Sequence, residues 1–155
     1  IECFEEYNTL HGKKYKLIMV GQNFMSDLPE NENVIVTGFV DEQAKLYYLR
    51  DSLALIIPSK YESLSMVTLE AMAMGKPVIA NGNCEVLKDH IDASKAGYVF
   101  FDNDDLIKQL DKIVKLTDRE RHIITENGIN YVRKNYDWAH IIGKFEKAVD
   151  YIKNK

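Results

Sequence analysis

Five short apolar runs, rich in β-branched residues, recur about every 20 residues along the chain, at 16–20, 34–37, 53–57, 77–80 and 98–101. Each run is nearly continuous rather than alternating. That is the pattern of strands buried on both faces, as in a parallel sheet covered by helices. The segments between the runs carry helical spacing. Asp41 is placed to cap a helix through about residue 50, with Ala44, Leu46, Tyr47 and Leu49 as its apolar surface. Residues 65–74 and the shorter 85–91 read as two more. Asn103 is placed to cap a helix through about residue 116, with Leu106, Ile107, Leu110, Ile113 and Val114 at helical spacing. Thr117-Asp118-Arg119-Glu120 has the form of a capping box. Asp137 heads a last helix carrying Ile141, Ile142, Phe145, Val149 and Ile152 on one face. Strand–helix–strand alternation with short connections implies right-handed crossovers and an α/β, doubly wound parallel sheet. Such sheets bind ligands at the carboxyl ends of their strands, here 21–23, 38–40, 58–65 and 81–84.

With 155 residues, the chain fits a single domain, spanning 1–155. The formal charge of −4 argues against a nucleic-acid surface, which needs basic patches to neutralise phosphates. It leaves room for a small anion, because a helix N-terminus binds one without net positive charge. The two cysteines, Cys3 and Cys84, make neither a disulfide framework nor a zinc spacing, and read as reduced thiols of a cytoplasmic protein. His11, His90, His122 and His140 show no i,i+4 pairing and read as surface or satisfied core residues. No apolar run approaches the roughly 20 residues of a transmembrane helix. The acidic, amphipathic start at 1–6 is no signal peptide, and it opens mid-pattern, as if cut from a longer chain.

The segment 58–80 concentrates the chemistry. A strand ends at Pro58, a loop follows, then a helix that Gly75 can terminate, then Pro77 and the next strand. Glu62 lies in the loop and Glu70 inside the helix, on the order of 7 Å along the axis from its start. Helical side chains lean towards the N-terminus, which aims Glu70 back at whatever sits there. The free amides near Ser65, Met66 and Val67 form an anion site assisted by the helix dipole. A diphosphate docked there would leave the two carboxylates to accept hydrogen bonds from hydroxyls on either side. The plainer reading stays open at this stage. Glu70 is then a solvated helix residue or the partner of Lys76, and Glu62 a loop carboxylate. Met66, Leu69, Met72 and Ala73 read as core in either case.

The same segment, with its proline-serine loop, E-x7-E, Glu70-Ala71-Met72-Ala73, Gly75 and Pro77-Val78, resembles the signature of glycosyltransferase family 4, the retaining enzymes of the GT-B fold. The likeness extends outwards. Residues 16–21 resemble the family's "kLxivG" strand, and 33–40 its "nVxxtGfv". Cys84-Glu85-Val86-Leu87 followed by Ala96-Gly97-Tyr98 resembles "xEvi…nG". The resemblance implies a Rossmann-like sheet forming one half of a GT-B fold, the C-terminal donor-binding domain. It implies Glu62 as the catalytic-site carboxylate that contacts the donor sugar and Glu70 as the ribose ligand. It further implies the amides of Leu64, Ser65, Met66 and Val67 for phosphates and sugar, and Val40 with Lys45 near the base. Lys45 read alone is a solvated helix lysine.

Two departures stand out. The family usually has glycine at the positions of Ser63 and Ser65. The family's first strand, with its basic pair, and the acceptor-binding N-terminal domain should precede Ile1. By resemblance, the intact parent transfers a sugar from a nucleoside diphosphate sugar to a sugar, lipid or protein acceptor with retention, and this chain alone is expected to be inactive. No metal and no other cofactor is expected; Asp104-Asp105 reads as capping and dipole compensation. A role in bacterial polysaccharide or glycolipid synthesis follows from the family, with no nucleic-acid partner. The expected location is cytoplasmic, with peripheral association at the inner face of the membrane as the parent's alternative. The competing expectations are a nucleotide-sugar epimerase of the same fold and a non-catalytic nucleotide-binding or interaction module.

Overall fold

The structure, a computed structural model, describes residues 1–22 and 31–154. In chain order it contains α1 (Glu2–Leu10), β1 (Leu17–Val20), β2 (Val34–Gly38), α2 (Glu42–Asp51), β3 (Leu55–Ile57) and α3 (Met66–Ala73). These are followed by β4 (Val78–Asn81), α4 (Glu85–Ser94), β5 (Gly97–Phe100), α5 (Asn103–Lys115), α6 (Asp118–Tyr136) and α7 (Trp138–Lys153). The expected strand end at Asn23 lies outside the described residues.

Every ladder is parallel. β4 sits between β3 and β5, and β1 pairs with β2. β4 is buried along its whole length, as its uninterrupted apolar run requires. Its side chains alternate between two cores. Val78 and Ala80 join Leu49, Ala71, Met72, Leu87 and Ile91 from α2, α3 and α4. Ile79 faces the other way, to Phe100 and Ile113, with Leu106 and Leu110 of α5. Helices therefore cover both faces, and the α/β doubly wound architecture is realised. α1 lies on the α5 face, where Cys3 Sγ donates to the Asn103 carbonyl and the Tyr7 hydroxyl to Asp111.

The two sheets are not joined by hydrogen bonds among the described residues, so β1 and β3 each keep one edge without a strand partner. Ile18 and Val20 of β1 are correspondingly exposed. The handedness of crossovers says where a strand feeding α1 would lie. β2, α2 and β3 follow the same winding as β3, α3 and β4, because α2 and α3 share a face. α1 lies on the opposite face, so a parallel strand feeding α1 by a right-handed crossover would enter between β1 and β3.

Local signals set most helix ends. Asp41 accepts from the Ala44 amide, Asp137 from that of Ala139, and Thr117 with Glu120 completes a reciprocal capping box. Three expectations need correction. Asp102, not Asn103, caps α5, by accepting from the Asp105 amide; Asn103 is its first helical residue. α4 continues to Ser94, a full turn beyond Ile91, because His90, Ile91 and Ser94 are buried. Only Leu49 of the apolar set on α2 is buried; Leu46 and Tyr47 are exposed. On α7, Ile142, Phe145, Val149 and Ile152 are exposed too. Both cysteines are free and buried. Among the described residues no helix is long and apolar enough to cross a membrane.

α4 ends on Lys95, held in the left-handed region at φ 56°. Glycine adopts that conformation without the Cβ penalty. Lys95→Gly is expected to raise stability by about 0.5–1 kcal/mol, read as an upward shift in thermal unfolding. Its ion pair with Asp92 spans 3.9 Å at an exposed site and offers little to lose.

Candidate functional site

The loop after β3 turns sharply into α3 at the carboxyl edge of the three-stranded sheet. Ser65 makes the turn. It is buried, with φ 58° and ψ 74°, the left-handed region that glycine fills at lowest cost. This is the physical reason for glycine there in the family resembled. Ser63 is not among the residues with positive φ, so the second replacement asks nothing unusual of the backbone.

Ser65 is a residue type that normally caps a helix, yet it makes no side-chain cap. Its hydroxyl lies 2.9 Å from Thr68 Oγ1 instead. The Thr68 and Leu69 amides both donate to the Ser65 carbonyl. Among the described residues, no acceptor faces the amides of Ser65, Met66 or Val67. The N-terminus of α3 is therefore open, with the positive end of its dipole available to an anion.

Glu70 lies one turn further on, three-quarters covered. The Lys45 ammonium donates to its Oε1 at 3.0 Å and lies 2.9 Å from Oε2. Only the first contact has hydrogen-bond geometry, so the buried Oε2 is ion-paired with Lys45 but keeps room for an aligned donor. A carboxylate oxygen whose remaining lone pair has no aligned donor can accept from a ligand hydroxyl. Lys45 also reaches Glu42 at 2.8 Å. Hydrogen bonds to Glu42 and then to Glu70 hold its pKa above the ordinary lysine value.

This pairing corrects two plainer readings. Lys45 is not a solvated helix lysine, and Glu70 is not the partner of Lys76, whose ammonium donates to the Ser52 carbonyl. The structure thus brings together Lys45, Glu70, Ser65, Met66 and Val67. Glu62 stands in the loop ahead of α3, half-buried, with no ion pair or side-chain hydrogen bond among the described residues. Val40 is half-buried at the carboxyl end of β2, and Leu64 is exposed in the loop. Met66 and Ala73 were expected in the core and are exposed, while Leu69 and Met72 are buried. Met66 is the first residue of α3.

The same edge carries structure that spacing did not reveal. Asn81, at the end of β4, donates to the Pro58 carbonyl and accepts from the Asn83 amide, tying two strand ends together. His90 reaches the loop from α4. Phe39 after β2 and Tyr61 after β3 stand 89% and 91% exposed on the rim. Asp105 accepts from the Phe101 amide, and Asp104 is an exposed first-turn acid, so neither serves as the helix cap.

Residues 1–131 match the family described as glycosyl transferases group 1. A lipopolysaccharide 1,2-N-acetylglucosaminetransferase of Salmonella typhimurium is 28% identical, over 96% of this chain and 43% of its own length. An alpha-monoglucosyldiacylglycerol synthase of Streptococcus pneumoniae is 26% identical, over 79% of this chain and 30% of its own. The chain thus spans less than half the length of these relatives. Sucrose-phosphate synthase from Thermosynechococcus elongatus superposes with a TM-score of 0.74 at 22% identity, over 90% of this chain and 39% of that one. WaaG, a glycosyltransferase involved in lipopolysaccharide biosynthesis, superposes with a TM-score of 0.62 at 20% identity, over 99% and 51%. The fold is one half of a GT-B architecture, and the chain belongs to the group 1 glycosyl transferases.

Proposed function

We propose that this chain is the donor-binding half of a retaining glycosyltransferase of family 4, which takes a nucleoside diphosphate sugar. The observation that carries the reading is the open N-terminus of α3 beside the Glu70 carboxylate, which Lys45 holds and whose Oε2 has no aligned hydrogen-bond donor. In this reading the diphosphate sits on the amides of Ser65, Met66 and Val67, and Glu70 accepts from the ribose hydroxyls. Glu62 faces the sugar, and Val40 lies towards the base. Lys45 holds Glu70 turned to the ligand. As the bond to the leaving diphosphate breaks, charge builds on its oxygens, and amides already aimed at it stabilise that charge without rearranging. No metal or other cofactor is required for this role.

The rest of the enzyme lies outside these residues. A sixth parallel strand would enter between β1 and β3, and a second domain would bind a sugar or lipid acceptor. The lipopolysaccharide and glycolipid transferases among the relatives favour such an acceptor, in bacterial surface polysaccharide or glycolipid synthesis; the location that goes with this reading is the inner face of the membrane. Without that second half, sugar transfer by this chain alone is expected to be absent.

Calorimetric titration with UDP, GDP, ADP and their sugar conjugates tests the reading. One base is expected to be preferred, at about millimolar affinity, or roughly 4 kcal/mol. Binding is expected to be the same with manganese and with EDTA. Equal binding to all bases, no binding at all, or a strict need for metal would contradict the proposal. An interaction module that binds no nucleotide would give the second of these.

A further inference from the structure

The loop that leads into α3 is held from behind by a buried histidine. His90 of α4 is 5% exposed, and both ring nitrogens are engaged. Nε2 lies 2.8 Å from the Leu64 carbonyl oxygen and Nδ1 lies 2.9 Å from the Tyr131 hydroxyl. A carbonyl only accepts, so Nε2 carries the proton. In the neutral ring Nδ1 is then the acceptor and Tyr131 the donor. Burial, and next the contact with the Tyr136 hydroxyl, push the Tyr131 pKa far up, so it keeps its proton. The rings of His90, Tyr131 and Tyr136 meet edge-on, with centroids 5.7–5.9 Å apart, which fixes the imidazole plane.

The consequence falls on the opposite side of the loop. In a planar trans peptide the carbonyl and the following N–H point in opposite directions. Holding the Leu64 carbonyl towards His90 therefore turns the Ser65 N–H away from α4. Were this peptide to flip, a carbonyl oxygen would replace the N–H beside the open helix end. An acceptor dipole there repels an anion that the donor attracts.

We infer that His90 is a positioning residue for the donor diphosphate: it anchors the Leu64 carbonyl and thereby aims the Ser65 amide at the phosphates. The inference rests on the donor-site reading above. It adds to that reading a residue 26 positions from the loop, seated on another helix.

The test compares wild type with His90→Leu, His90→Gln and Tyr131→Phe. Each is titrated with the nucleoside diphosphate that wild type prefers and with the corresponding nucleoside, by calorimetry and ligand-observed NMR. Thermal unfolding is recorded alongside. Losing one aimed donor is expected to weaken the diphosphate about tenfold in His90→Leu and to leave the nucleoside unchanged. Glutamine places an amide nitrogen near the position of Nε2, so His90→Gln is expected to recover binding to within about threefold. Tyr131→Phe keeps the imidazole and frees its orientation, and is expected to fall between. It carries the test if His90→Leu does not fold. A structural histidine would lower the unfolding temperature and leave the ratio of diphosphate to nucleoside affinity at its wild-type value, which would overturn the inference alone. Wild type that binds no nucleoside diphosphate would overturn the donor-site reading and this inference with it.

Discussion

Gly97→Ala is expected to lower the unfolding temperature by roughly 10 °C, a loss of about 3 kcal/mol or more for a domain of this size. A Cβ on Gly97 would lie 1.9 Å from the Val78 carbonyl oxygen and 2.8 Å from its carbonyl carbon and amide nitrogen. All three are backbone atoms of the central strand. Val78 is the register partner of Gly97, and its amide donates to the Ala96 carbonyl. Neither strand can move aside without losing the ladder that joins β4 and β5. Gly143→Ala is the control. Among the described residues, no atom beyond its chain neighbours and its own helix backbone lies within 4 Å of a Cβ there, and it sits inside α7, so alanine is expected to stabilise by up to about 1 kcal/mol. Thermal unfolding of both variants is the check; a Gly97→Ala protein that melts like wild type would show that the two strands do not approach so closely.

Glu70→Ala is expected to weaken nucleoside diphosphate binding by about 30- to 100-fold while leaving thermal stability within about 1 kcal/mol of wild type. The two halves of this expectation come from the same geometry. Glu70 is paired with Lys45, but Lys45 retains Glu42 as a second partner. Removing Glu70 also removes the cost of keeping a largely covered carboxylate out of water, which offsets part of the lost ion pair. Binding has no such substitute if the ribose hydroxyls depend on this carboxylate. A double-mutant cycle with a nucleotide lacking the ribose hydroxyls checks the assignment. The losses should overlap, so that Glu70→Ala costs little further with the deoxygenated ligand. Fully additive losses would place Glu70 away from the ribose.

What was legible in the sequence was local. The near-continuous apolar runs gave the buried β4 and the parallel sheet, because burial on both faces leaves no polar alternation. Asp41, Thr117 and Asp137 declared their caps, since capping acts within one turn. The cap of α5 shifted by one residue because Asp102 and Asn103 are both competent and periodicity does not choose between neighbours. The break between the β1–β2 and β3–β4–β5 ladders was invisible in the pattern, which marks strands but not their pairing. At the site, the open helix end followed from position alone. The Lys45–Glu70 pair did not, because it joins residues 25 positions apart on two helices. Nor did His90, whose partners lie 26 and 41 positions away. The left-handed turn at Ser65 is hidden by its residue type, and only the glycine of the family resembled hinted at it.

The most direct measurement is an amide-resolved NMR titration of the chain with its preferred nucleoside diphosphate. If the diphosphate sits on the open end of α3, the largest shifts fall on the amides of Ser65, Met66 and Val67, with smaller ones along Lys45 and Glu70. Shifts centred elsewhere, with those three amides unmoved, would contradict the account.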